Sequence, residues 1–329
     1  EKKRDEEIDG IINLVADDQL DEWFGKFNKI ASQYELVDEW KFTSFKNLLI
    51  RLAKAKPQIS EKLLEKSLAN NSPFKKFIGN FLDGFRFVYN FDSWDRCVAR
   101  MVDLKDAQLI NDILFSLNLP FEEENFAKST RNKDIDLLDD IANHKNKFSF
   151  IGEKDDYLHR NALFSALVRN FKYAPKRIDR LIVTEIKNNP SDPNLYLNGF
   201  STAISRGLVS IKDLQTETVA LLKEKMIDLS DMDWHIQGLL LEIGKQYGLK
   251  DVLGVFKGRI DKDVNKKENG GRIASDRYDA VPYHFNKDLV KFIDEQPEYI
   301  NIASGWVFGM KPGWSNYNWD LSHFLRRVG

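Results

Sequence analysis

Apolar residues recur every three or four positions along most of the chain, the spacing that lines one face of an α-helix. Ile178, Leu181, Ile182 and Ile186 form one such stripe, with Glu185 at its margin, and Leu214, Val219, Leu221, Leu222 and Met226 form another. Strict apolar–polar alternation rarely runs beyond four residues, so strands have little to build on. Asp9-Gly10 and Asp83-Gly84 lie inside helical patterns rather than between β-branched runs, which leaves hairpins without support. The pattern predicts helices over 4–16, 19–33, 38–55, 58–70, 73–89, 92–102, 105–118, 132–144, 155–171, 175–188, 193–206, 210–226, 231–247, 249–263, 286–295, 298–308 and 317–328. Proline and glycine punctuate them. Pro175 stands in a first turn, where its missing N–H costs nothing, and Gly207 and Gly248 stand where a helix ends and the chain turns back. Residues 119–131 and 264–275 read as solvated connections, the second marked by Gly270-Gly271.

A repeat organises the middle of the chain. Leu158, Ala162, Leu163, Ala166 and Leu167 align with Leu195, Gly199, Phe200, Ala203 and Ile204, and then with Trp234, Gly238, Leu239, Glu242 and Ile243, where Glu242 breaks the apolar pattern. The small residue recurs after 37 and then 39 positions, and a second amphipathic helix follows each copy. A small residue at a fixed point lets a neighbouring helix come close. A period near 40 with two helices per unit predicts an all-α, right-handed α-solenoid of HEAT- or armadillo-like pairs. The expected organisation is a helical region over 1–118, repeats over 132–263 and an aromatic-rich helical cap over 276–329.

Composition narrows the function more than it chooses one. The 329 residues are 42% hydrophobic and 30% charged, enough for a real core, and the net charge of -2 gives no bulk argument for nucleic acid or membrane. No apolar run approaches the ~20 residues of a membrane span. The lone Cys97 can form neither an intrachain disulfide nor a Cys-rich zinc site, which points to a reducing, cytoplasmic setting. The opening Glu-Lys-Lys-Arg-Asp-Glu-Glu is too charged for a signal peptide, and the missing initiator Met suggests a piece of a longer polypeptide.

Catalytic and cofactor motifs are missing from the sequence. There is no phosphate-cradling glycine loop, no nucleophile elbow and no metal-spaced pair among His144, His159, His235, His284 and His323. Asp17-Asp18, Asp139-Asp140 and Asp155-Asp156 are adjacent on helices and point ~100° apart, so they do not converge by themselves. Cys97 sits on an apolar helix face and reads as a buried, inert thiol. The expectation is a non-catalytic protein-interaction or sensor module with no cofactor and no metal.

Two basic surfaces are the candidate sites. In a HEAT-like stack the second helices of each pair line the concave side, and here, over 175–188, 210–226 and 249–263, basic residues outnumber acidic ones. Arg177, Arg180, Lys223 and Arg259 are the expected contacts, favouring a partner with an acidic surface or a phosphate-bearing ligand. The alternative is a nucleic-acid-binding array built on Arg169, Lys172, Lys176, Arg177 and Arg180, with Phe171 and Tyr173 interleaved. Near the end, Tyr278, Tyr283, Phe285, Trp306, Trp314, Tyr317, Trp319 and Phe324 crowd a short stretch and predict a packed aromatic cap.

Residues Trp234 to Gly248, Val255 to Ile260, Asp279 to Pro282 and Trp319 to Phe324 resemble the helical C-terminal arms of large bacterial STAND-type NTPases, including those of antiphage defence. The resemblance spans about a hundred residues. It implies a sensing arm whose nucleotide-binding core lies upstream, and it assigns no residue a role, because this chain has no Walker sequence.

Overall fold

The computed structural model describes residues 2–34, 39–70, 72–118, 129–151, 157–189, 192–268, 278–308 and 322–326. All regular structure among them is helical. The α-helices are α1 (Lys2–Leu14), α2 (Leu20–Ala31), α3 (Thr43–Ala55), α4 (Pro57–Asn70), α5 (Gly79–Phe87), α6 (Phe91–Asp103), α7 (Ala107–Ser116) and α8 (Asn132–Ala142). They continue as α9 (Tyr157–Arg169), α10 (Pro175–Asn188), α11 (Pro193–Ser205), α12 (Thr216–Asp228), α13 (Trp234–Tyr247), α14 (Leu249–Glu268), α15 (Lys287–Asp294) and α16 (Tyr299–Phe308). Most predicted helices are present within a turn. The exceptions are local: the runs predicted over 38–55, 73–89 and 210–226 each split into a 3-10 turn (Glu39–Phe42, Pro73–Phe77 and Ile211–Asp213) and an α-helix (α3, α5 and α12), and α14 runs on to Glu268, so residues 264–268 of the predicted second loop are helical. The helix predicted over 317–328 and most of both predicted loops lie outside the described residues. No helix among the described residues is long and apolar enough to cross a membrane.

The chain forms two compact units, 1–166 and 167–329. The predicted break at 119–131 does not separate them. Residues at its end and beyond it are stitched back onto the earlier helices: the guanidinium of Arg86 donates to Asp134 at 2.9 Å and to the Ser129 carbonyl at 2.5 Å, Arg131 pairs with Asp95 at 2.8 Å, and Nδ1 of His159 lies 2.8 Å from Oδ1 of Asn111.

Along the first seven helices of the first unit, helices pack two places apart: α1 on α3, α3 on α5, α5 on α7, and likewise α2 on α4 and α4 on α6. The closest approach is between α3 and α5. A Cβ at Gly84 would lie 2.4 Å from the Ile50 carbonyl, so only glycine fits there. The core beneath is rich in phenylalanine: Phe27, Phe45, Phe74, Phe77 and Phe81 are all buried, with ring centroids 5.1–6.1 Å apart along the cluster. On the even-numbered helices, bases on a later helix meet acids contributed two helices earlier, as in Lys62–Asp17 and Arg96–Glu61.

The second unit repeats the rule, with α10, α12 and α14 in one row and α11, α13 and α15 in the other. These are the second and first helices of the predicted pairs. Close approach, however, is not made where the repeat alignment places it. Nothing lies within 4 Å of a Cβ built at Gly238, whereas one at Gly244 would come 2.5 Å from Val252 and 2.9 Å from Phe292. Gly207 and Gly248 have φ of 68° and 99°, the left-handed conformation that ends a helix cheaply only in glycine. Of the aromatics expected in the cap, Phe324 is buried against Phe256 at 4.8 Å and Trp306 at 6.0 Å, whereas Tyr283 is exposed. Trp314, Tyr317 and Trp319 lie outside the described residues.

Candidate functional site

Two of the four residues expected on the concave row, Arg259 and Lys223, are committed to the fold. Arg259 is 0% exposed, which corrects its placement as a surface contact. Its guanidinium donates to the carbonyls of Met226 (2.5 Å), Leu229 (2.8 Å), Ser230 (3.5 Å), Asp279 (2.6 Å) and Ala280 (3.1 Å), with the Tyr278 ring 4.9 Å away. Helix α12 leaves carbonyls without partners at its C-terminal end, and Arg259 supplies the donors. Burial pushes its pKa down, and the nearby Tyr278, Asp231 and Asp279 oppose that. Lys223 is half-buried and ion-paired to Asp251. Arg177 is half-buried; Arg180 is exposed, and its Nε donates to the Lys176 carbonyl at 3.2 Å. The count of basic residues on this row therefore overstates the charge available to a ligand.

The alternative basic corner is likewise thinned. Arg169 is 7% exposed and Phe171 1%, both inside the unit, because α9 ends with these side chains turned into the core. Lys172, Tyr173, Lys176 and Arg180 remain exposed. Cys97 is buried, and burial together with Glu61 and Glu65 pushes its thiol up to about 12, so it carries no thiolate near neutral pH. Asp155 and Asp156 lie outside the described residues, and among the described ones no three His, Cys, Asp or Glu side chains gather as a metal site.

A concavity lies on the other row, where α11, α13 and α15 form a groove of about 720 Å³, within the range of ligand sites. On α13 it is lined by Trp234, Gly238, Leu241, Glu242 and Lys245, residues that share one face at helical spacing. Ser201, Ile204 and Ser205 of α11 form one wall; Asp288, Lys291, Phe292 and Glu295 form the other. A second hollow of about 330 Å³ shares Ile204, Glu242 and Lys245, so the depression runs on along α13. The open space at Gly238 deepens its floor.

This geometry is held firmly from below. Asp233 caps α13 by accepting from the amides of His235 and Ile236, both at 2.9 Å. Ser201 Oγ donates to the His235 carbonyl at 2.9 Å, tying that first turn to α11. Buried Gln237 donates to the carbonyls of Met232 and His284 and accepts from the Asn286 amide, and Asn286 in turn caps α15. Trp234 is left 59% exposed at the groove mouth. Of the groove's charges, Lys245 is bonded to Glu242 at 2.7 Å and Lys291 lies 3.7 Å from Glu295. Asp288 has no ion-pair partner among the described residues. Trp234 and Gly238 stand in the sequence as repeat landmarks, whereas nothing in the pattern marks Asp288. A tryptophan one turn before a glycine on a capped helix was the available signal. No protein-family model matches the chain, and no curated protein or solved structure matches it either.

Proposed function

We infer that the protein is a non-catalytic interaction module, a HEAT-like α-solenoid in its helix pairing, that docks an extended segment of a protein partner along the α11–α13–α15 groove. The observation that carries this reading is the exposed Trp234 at the mouth of an elongated, rigidly backed groove. Exposed tryptophans beside a concave, partly apolar floor are the side chains that dominate protein interfaces. Helix-pair packing in which every second helix touches supports the solenoid architecture. The resemblance to sensing arms of STAND-type NTPases fits the same role.

The occupant is a segment that presents an arginine or lysine. Both groove lysines are already paired, Asp288 is not, and Trp234 offers a ring face to a cation. This differs from the expectation of an acidic or phosphate-bearing partner, two of whose four expected contacts, Arg259 and Lys223, are buried or ion-paired. The test is an array of immobilised seven-residue peptides with a central Arg, Lys, Asp or phosphoserine, probed with the whole protein. Capture on the Arg and Lys peptides, lost in Trp234→Ala and weakened in Asp288→Asn, supports the reading. Capture on the phosphoserine or Asp peptides, or capture that ignores Trp234, overturns it.

A further inference from the structure

The groove has a second end of opposite character. Trp234 and Asp288 line the first hollow, and Ser210, Lys212 and Gln246 line the second. The two are continuous, because Ile204, Glu242 and Lys245 line both. Contacts fix which end is which. The Asn286 amide meets Gln237, and seven residues further along α13 a Cβ at Gly244 would touch Phe292, so α15 runs parallel to α13 and Asp288 belongs to the early half. On the other wall Ser201 meets His235, and the chain past Gly207 lies beside Lys245 and Gln246. Lys212 therefore belongs to the late end.

Between these ends the charges cancel in pairs: Lys245 with Glu242 at 2.7 Å, and Lys291 with Glu295 at 3.7 Å. What is left over is one carboxylate early, Asp288, and one ammonium late, Lys212. Both are exposed, and neither has an ion-pair partner among the described residues. Their chain neighbours of opposite sign, Lys287 and Asp213, do not line the hollows. The side chains of Ser210 and Gln246 make no hydrogen bond among the described residues either, and Ser210 opens its 3-10 turn without capping it. The late end thus offers a cation and two polar groups that the fold does not use.

We propose that the groove reads a bipolar segment: a basic side chain held at Trp234 and Asp288, and an acidic side chain about five residues away held at Lys212. This rests on the reading of the groove as the docking site of an extended basic segment, and adds a second anchor to it. The spacing follows from α13. Trp234 and Gln246 are about 18 Å apart along the helix axis, a length that an extended chain rising about 3.3 Å per residue covers in about five residues. At about 330 Å³ the second hollow accommodates a whole side chain, so the acid is an internal Asp or Glu. Repulsion sharpens the choice. A wholly basic segment sets a like charge against Lys212, and a wholly acidic one sets a like charge against Asp288.

The test measures, by fluorescence anisotropy, the binding of labelled, C-terminally amidated peptides to the full chain. Each peptide carries one Arg in a neutral segment, with a Glu placed two, five or eight residues to either side. A Glu five residues away on one side tightens binding about threefold to fivefold over the Arg-only peptide, the yield of one partly exposed ion pair, and the other spacings do not. This series needs no variant. Lys212→Glu, at an exposed position and checked for folding by circular dichroism, inverts the preference, so that Lys in place of that Glu binds more tightly. Equal affinity at all spacings, a gain that survives Lys212→Glu, or a gain that a free terminal carboxylate supplies as well as Glu overturns the proposal. Arg-only binding that depends on Trp234 but gains nothing from Glu overturns it and leaves the docking site standing; binding by none of the peptides overturns both.

Discussion

Each unit buries one arginine completely, and the two are accommodated differently. Arg86 in the first unit meets a carboxylate, Asp134, plus the Ser129 carbonyl, and its Nε has no partner. Arg131 also reaches Asp134, at 2.7 Å, and the two guanidiniums share the rings of Phe91 and Trp94. Arg259 in the second unit is hydrogen-bonded by carbonyls alone. The first solution neutralises charge with charge; the second spends the charge on backbone oxygens that a helix end and the 278–280 segment leave over. The lesson concerns redundancy. Asp134 keeps Arg131 if Arg86 is lost, whereas no second donor is in place for the Arg259 carbonyls.

That asymmetry sets the size of the expected effects. Arg259→Met leaves several buried carbonyls without donors and is expected to cost about 4 kcal/mol, read from the urea midpoint. A loss under about 1 kcal/mol would mean that water replaces the guanidinium. Arg86→Met is expected to cost less, about 2–3 kcal/mol, because Arg131 still compensates Asp134. Equal costs for the two variants would remove the contrast. Lysine substitutions sharpen it: a lysine's three donors cannot reach a fan of carbonyls as a planar guanidinium does, so Arg259→Lys should lie about 1 kcal/mol below Arg86→Lys in stability. At the bottom of the scale, Lys62→Ala breaks an exposed pair with Asp17 and is expected to change stability by under about 0.5 kcal/mol.

Local rules made the helices legible. Pro175 and Pro193 open α10 and α11, Asp233 and Asn286 cap α13 and α15, and Gly207 and Gly248 close their turns, all through contacts within a few residues. The site was not. Arg259 sits among lysines and glycines like a solvated helix residue, and only carbonyls 20–33 positions away decide that it is buried. Lys223 counts as a free cation until α14 brings Asp251 to it. The small residue at Gly238, read as the seat of a close helix approach, has open space beside it and lines the groove instead.

The ion pairs between helices have a further consequence for how the chain is made. Their partners lie between 28 and 48 residues apart, from Lys223–Asp251 to Arg86–Asp134. A ribosome adding about 5–20 residues per second supplies the later partner within roughly 1–10 seconds of the earlier one. Each helix can therefore settle on its predecessors as it leaves the exit tunnel, without waiting for the far end of the polypeptide.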